Sequence, residues 1–311
     1  MDPIGELKQN AKRFNKIVIW GLRKRFHTHR YIFQGYYKTL KKLGIPVIWV
    51  EDEKKNQKYI EPNDLIISAE VIGKMVSEKI KFEDYNLPVR DDIFYCLHNF
   101  KEVFLNKLNF SSLLKLQVYY NLAENHFKLY EAVHFDTKTR TLYQPWGTNL
   151  LPAEFKEPIF NKNKLVFWIG SVWNDKKNHG NINEIFKFKE ILKNINLKFF
   201  KIRFIPDWLN IFFIRNSRIA PAISGDRQLK IDYLPCRMFK NISYGQLGFS
   251  NIKKFNDIFK DCNIYDEDME KMVKKVLSLD KSEYINLIKK QQEICKNYTY
   301  VQHLNNIFKF I

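Results

Sequence analysis

Cysteine is sparse and unpatterned in this chain. Cys96, Cys236, Cys262 and Cys295 form no CxxC pair and no even framework among 311 residues. That usage fits reduced thiols in a cytosol and argues against a disulfide scaffold or a zinc site. No apolar run approaches the ~20 residues a membrane span requires. The opening Met1-Asp-Pro-Ile-Gly-Glu lacks the basic start and apolar core of a signal peptide. The expectation is a cytoplasmic protein. Gly170-Ser-Val-Trp is neither a Walker loop nor a GxGxxG, so ATPase and dinucleotide readings have little to stand on. His27-Thr-His29 has no third ligand at suitable spacing, and no metal is expected. There is no short-period repeat, no low-complexity segment and no basic tail.

Positive charge and aromatic carbon are what the chain has in quantity. Lys and Arg number 52 against 34 Asp and Glu, a formal net charge of +18. Such a balance attracts nucleic acid, an acidic membrane surface or phosphorylated small molecules. The charge is spread along the whole chain, which weakens the nucleic-acid reading and leaves peripheral contact with an anionic membrane open. With 45 % hydrophobic and 15 % aromatic residues, the chain is too apolar for disorder. Its length suits two domains, each able to bury a core.

In chain order, Lys16–Leu22 reads as a buried strand closed by Gly21. His29–Leu43 has apolar residues at helical spacing, and Pro46–Val50 is the next strand, completing a βαβ unit. Asp64–Ser68 reads as a strand and Glu70–Ser77 as a short helix. Strands are also expected at Ile93–Leu97, Leu116–Tyr120 and Phe127–Phe135. The last of these pairs with Thr141–Tyr143 around the hairpin tip Asp136–Arg140. Gln144-Pro-Trp-Gly-Thr-Asn-Leu-Leu-Pro152 marks a linker. Beyond it, strands are predicted at Leu165–Ile169, Lys198–Phe204, Arg218–Ser224 and Gln246–Ser250. Lys198–Phe204 is taken as a buried strand rather than a base-stacking platform. Helices are predicted at Asn183–Asn194, Trp208–Asn216, Asn251–Phe259 and Asp266–Leu279, and a long helical segment over Lys281–Phe310. Residues 1–150 are expected to form one domain, 151–290 a second, and 291–311 a helix returning to the first.

The stretch Asp232–Gly245 organises the second half. Pro235 suits the first turn of a helix, and Gly245 can turn left-handed past its end. Arg237, Lys240 and Asn241 then share one face near the helix start, where free N–H groups and the dipole favour an anion. An Arg and a Lys there fit a diphosphate better than a lone carboxylate. A solvated basic helix face is the plainer explanation of the same residues.

Three stretches carry a family likeness: Ile17-Val-Ile-Trp-Gly21 with His27-Thr-His-Arg-Tyr-Ile32; Tyr143–Pro152; and Ile219–Ile223 running through Gly225-Asp-Arg-Gln into Tyr233–Gly245. With the two-domain plan, they resemble glycosyltransferases of the GT-B architecture, the bacterial and viral group that builds surface or capsid glycans. The resemblance implies an α/β fold of two Rossmann-like domains facing a cleft, with a C-terminal helix crossing back to the N-terminal domain. It implies a nucleotide-sugar donor in the C-terminal domain, a glycan acceptor in the N-terminal domain, and no metal or other cofactor. The acids Glu267 and Asp268 fall in the first turn of a predicted helix, not in a clear Asp-x-Asp loop of a metal-dependent sugar transferase. The chain departs from the family's pattern where an acidic residue often holds the donor ribose, since Asn241, Ser243 and Tyr244 stand there.

Sugar transfer requires neutralising a departing diphosphate and deprotonating an acceptor hydroxyl. For the first, Arg227, Arg237 and Lys240 are the expected cations, with Arg203 in support. Gly170, Ser171, Tyr233 and Pro235 complete the expected donor site. For the second, His29 or His27 is the expected base, with His98, Asn99 and Arg30 as acceptor contacts. His126, His134, His179 and His303 are read as structural or exposed. The expected partners are a UDP- or GDP-sugar and an oligosaccharide or glycoconjugate, without nucleic acid. A nucleic-acid or anionic-surface binder without catalysis is the rival, and a Rossmann-type sugar-nucleotide isomerase a third reading.

Overall fold

Short apolar segments form the centre of a seven-stranded sheet. The computed structural model describes residues 2–24, 28–70, 80–118, 133–174 and 180–311, and the chain divides into two compact units. The first comprises Met1–Gln117, Val133–Gln144 and Tyr300–Ile311, and the second is built on Pro145–Thr299. Strands of the first unit are β1 (Ile17–Trp20), β2 (Val47–Val50), β3 (Leu65–Ala69), β4 (Phe94–His98), β5 (Leu113–Gln117), β6 (His134–Asp136) and β7 (Thr141–Tyr143). Their order is β2-β1-β3-β4-β5-β7-β6, with only β6 antiparallel to its neighbour. Every residue of β1 and β3 is buried. Parallel strands are covered on both faces, which is why these segments are apolar but for the buried Ser68.

Asp136 turns the β6–β7 hairpin by accepting from the Lys138 amide at 2.9 Å and the Thr139 hydroxyl at 2.5 Å. β5 starts earlier than the predicted Leu116–Tyr120. Tyr119, Tyr120 and 121–132 lie outside the described residues, as does most of the helix predicted over Glu70–Ser77.

The helix Thr28–Lys42 packs on β2 and on the last helix, Tyr300–Phe310. Gly35 permits that approach, for a Cβ there would lie 2.1 Å from the Tyr300 ring. Gly35→Ala is expected to lower stability by about 1–3 kcal/mol, because the steric cost exceeds alanine's roughly 1 kcal/mol advantage in helix propensity. Thermal unfolding would register this as a lowered midpoint; an unchanged midpoint would show the helices less closely seated.

The single terminal helix predicted over Lys281–Phe310 is two. Lys281–Cys295 belongs to the second unit and starts on a capping box between Asp280 and Glu283. Thr299 is extended (φ −93°, ψ 161°) and bridges Thr148, which ends the helical run before Tyr300. Only Tyr300–Ile311 joins the first unit, so the stretch 291–299 stays with the second. The division after Gln144 also lies ahead of the boundary expected at residue 150.

In the second unit, β8 (Leu165–Ile169), the helix Ile182–Asn194 and β9 (Lys198–Ile202) make a parallel βαβ unit. Arg218–Ser224 and Gln246–Ser250 run alongside as irregular extended chain, not the predicted strands. Pro221 has no N–H for a ladder, and side chains supply what the backbone lacks. Gln246 Nε2 donates to the Ser217 carbonyl, Ser250 Oγ to Ala222, and Asn251 Nδ2 to Ser224. β9 is not the buried strand predicted, since Lys198, Phe200 and Lys201 are exposed. Among the described residues, no helix is long and apolar enough to cross a membrane.

Candidate functional site

Asp232–Gly245 forms the helix Cys236–Ser243, with Pro235 at the N-cap position, just outside the first turn expected for it. Gly245 follows at φ +86°, where a Cβ would meet the Glu157 carbonyl oxygen at 2.3 Å. Asn241 does not share an exposed face with Arg237. It is buried, and its amide donates to the Ala220 carbonyl at 2.7 Å, tying the helix to the extended chain beneath.

Arg237 sits in the first turn, and its side chain reaches toward the carboxyl end of β8, as helical side chains lean toward the N-terminus. Its guanidinium lies over the Trp168 ring, 3.7 Å from the centroid, and Nε donates to the Ile169 carbonyl at 3.3 Å. It passes Gly170 so closely that a Cβ there would be 2.3 Å from Nη2, and Gly170 itself adopts φ +142°. Glycine is thus required at 170 by backbone conformation and by the arginine. Burial pushes the Arg237 guanidinium down to about 10; the ionisable groups that act on it are Cys236 and Tyr233. Among the described residues, it has no carboxylate partner. A half-buried cation without a counter-charge can take up an anion.

The turn after β8 is held by Asn181, which is buried just ahead of the helix Ile182–Asn194. Its side chain accepts from the Trp173 amide at 3.1 Å and donates to the Ser171 carbonyl at 3.3 Å. Gly180 and Gly225 meet backbone to backbone, and a Cβ on Gly225 would lie 1.9 Å from the Gly180 oxygen. Close to this junction, burial and the charge of Asp226 push the Glu184 carboxyl up, a pair of acids that sequence reading passed over.

The expected donor residues are therefore only partly gathered. Gly170 and Arg237 touch, and Ser171 is held in the same turn. Lys240 is half-buried one turn along from Arg237. Tyr233 is half-buried and Pro235 buried. Arg203 follows β9 but is exposed and stacked on the Phe204 ring at 4.3 Å. Arg227 is exposed on the short helix Asp226–Lys230.

In the first unit, His29 and His98 lie together, with ring centroids 5.0 Å apart and edge-to-face. Both are buried, and His98 Nδ1 lies 2.8 Å from the Leu116 carbonyl oxygen. Asn99 follows in the left-handed region at φ +62°, and Arg30 is half-buried. His27 lies outside the described residues, as do His126 and His179. His134 is half-buried, and His303 is wholly buried, pushed down to about 3 by that burial.

A cavity of about 250 Å³ opens at the carboxyl ends of β1, β2 and β3, the end at which open parallel sheets bind ligands. Trp20, Lys24, Glu51, Asp52, Glu53 and Glu70 are among its lining. Neither His29 nor His98 is. Glu70 directly follows β3; its amide donates to the His98 carbonyl at 2.9 Å, and its carboxylate accepts from the Tyr85 hydroxyl. Burial raises the Glu70 carboxyl above its usual range, and the Tyr85 bond opposes that shift. Sequence reading missed Glu70 because it looks like one more helix-start acid; its place at a strand's carboxyl end was the available signal.

No protein-family model matches the sequence, and no curated protein matches it. Solved structures do. One is an alpha-glucosyltransferase in complex with UDP, with a TM-score of 0.58 at 12 % identity, covering 94 % of this chain and 99 % of that one. Another is an alpha-glucosyltransferase in complex with UDP and a 13-mer DNA containing a HMU base, with a TM-score of 0.56 at 12 % identity, covering 91 % and 95 %. The chain has the α/β fold of the GT-B glycosyltransferases, as the likeness in its sequence implied.

Proposed function

We propose that this chain is a glycosyltransferase moving a sugar from a uridine diphosphate donor to a hydroxyl acceptor. The observation that carries the reading is Arg237, a half-buried guanidinium at the end of β8 with no carboxylate partner among the described residues. A diphosphate supplies the missing counter-charge. The Gly170 amide already donates to the Ile202 carbonyl at 3.0 Å, so Lys240 adds the second cation and the start of the helix Ile182–Asn194 adds its dipole. UDP in both similar structures makes uridine the preferred base.

In this reading, protein cations neutralise the leaving group and no metal is needed. Glu70 takes the acceptor proton, and the His29–His98 pair positions the strand end that carries it. The enzyme works in the cytoplasm, where nucleotide sugars are made. Thermal shift with UDP, GDP and AMP tests the donor site. UDP at 100 times its Kd should stabilise by about 2.7 kcal/mol, equally with EDTA present. No shift with any nucleotide would overturn the reading; a shift only with added magnesium would overturn its metal independence.

The acceptor is read as a sugar hydroxyl, because the cavity in the first unit is lined by Glu51, Asp52, Glu53 and Glu70. Carboxylates accept hydrogen bonds from hydroxyls and repel phosphates. A hydroxylated DNA base is the second reading, favoured by the net charge of +18 and by the DNA-bound neighbour. Radiolabelled UDP-glucose offered with oligosaccharide or with hydroxymethylated DNA separates the two by which acceptor takes up label. A binder without catalysis would label neither.

A further inference from the structure

The second unit carries an apolar surface that its nucleotide chemistry does not use. The helix Asp207–Arg215, Asp-Trp-Leu-Asn-Ile-Phe-Phe-Ile-Arg, is apolar on nearly every face, a pattern normally found in the interior. Here Ile214 is its only buried residue. Trp208 is 67 % exposed and Phe212, one turn on, 54 %. Phe200 on β9 and Phe204 just after it are 44 % and 49 % exposed. Ring contacts make the surface continuous: Phe200 meets Phe167 at 5.6 Å, Phe167 meets Phe213 at 5.1 Å, and Phe213 meets Phe212 at 5.5 Å. Monomeric proteins rarely leave such a patch without an occupant.

The residues bordering it indicate which occupant. Lys198, Lys201 and Arg203 are exposed along β9, and Asp207 is the only acid between Lys198 and Arg218. Tryptophan and phenylalanine beside lysine and arginine is the arrangement that rests in the headgroup region of an anionic bilayer, rings down and ammonium groups among the phosphates. A stacking platform for nucleic acid needs open ring faces. Here Arg203 covers Phe204 at 4.3 Å, and Phe200 and Phe212 lean on neighbouring rings.

We propose that the face formed by β9 and the helix Asp207–Arg215 docks on an anionic membrane surface, with Trp208 and Phe212 entering the interface. The proposal stands on this patch alone and does not depend on the sugar-transfer reading.

Vesicle flotation tests it, using the full chain with phosphatidylglycerol-containing or pure phosphatidylcholine vesicles. The wild type should float with the anionic vesicles, at least tenfold more than with the neutral ones, and release as salt rises. The double variant Trp208→Ala/Phe212→Ala should lose at least tenfold of that partitioning while keeping its thermal midpoint and its response to UDP. Lys198→Glu/Lys201→Glu should lose it too, with the rings intact. Failure to float, equal binding to both vesicles, or unchanged binding by both variants would overturn the proposal. So would a concentration-dependent dimer, or binding of single-stranded oligonucleotide, that the aromatic double variant abolishes.

Discussion

Arg237→Ala is expected to cut stabilisation by UDP sharply while leaving the unliganded protein as stable as before, or more so. The two halves of that result have different causes. Loss of charged hydrogen bonds to a diphosphate should cost about 1.5–3 kcal/mol of binding, or roughly 10- to 150-fold in Kd. Loss of a group aimed at the leaving charge should lower turnover about 10²–10³-fold. In the unliganded protein, the guanidinium is held down to about 10 by burial and has no carboxylate beside it among the described residues. A shift of that size corresponds to a cost of order 3 kcal/mol, against about 0.5–2 kcal/mol recovered from the Trp168 ring. A residue kept for stability would show the reverse: a lower midpoint and an unchanged nucleotide response. Arg237→Lys should fall between, since a point charge lacks the planar fork that stacks on Trp168. UDP shifts and unliganded midpoints for the three proteins settle the matter, and a full UDP response in Arg237→Ala would place the nucleotide elsewhere.

Glu70→Gln should lower turnover by about 10²–10⁴-fold, the usual worth of a general base, with UDP stabilisation intact. The pH profile gives a sharper test. The carboxylate must be ionised to accept a proton, so the rate falls as pH drops through its raised pKa. The Tyr85 hydroxyl stabilises the ionised form by donating to it. Tyr85→Phe removes that donor, the pKa rises further, and the acid limb should move to higher pH. A merely structural Tyr85 would change the rate without moving the limb. His29→Ala should lower turnover modestly and leave the limb in place, because His29 packs on His98 and is absent from the cavity lining. If His29→Ala erased the limb and Glu70→Gln did not, the base would be the histidine.

The first unit was more legible from sequence than the second, for a physical reason. Strands buried on both faces are nearly continuous apolar runs, and β1, β3 and β4 could be located from composition alone. Beyond residue 218 the same reasoning named strands that are irregular chain. Pro221 removed a ladder donor, and buried Gln246, Ser250 and half-buried Asn251 took over the bonding. Lys198–Phe204 read as buried because aromatic density looks alike in a core strand and in an exposed patch; only neighbours distinguish them. The terminal helix read as one segment because its period continues through residues 296–299, where an extended Thr299 bridging Thr148 interrupts it.

The candidate site divides in the same way. Residue order alone placed a cation in the first turn of a helix opened by Pro235 and closed by Gly245, since capping and helical spacing are local properties. What stands opposite that cation is not local. Trp168 under the guanidinium and Gly170 cleared for its passage are contributed by residues nearly seventy positions away. Glu70 and Tyr85 likewise meet only in the folded chain, one at the end of β3 and the other in the connection to β4. Short-range torsional and polarity preferences thus determined which groups this protein possesses; burial and the dielectric it creates, which exist only after folding, decided which of them are charged, paired and able to act.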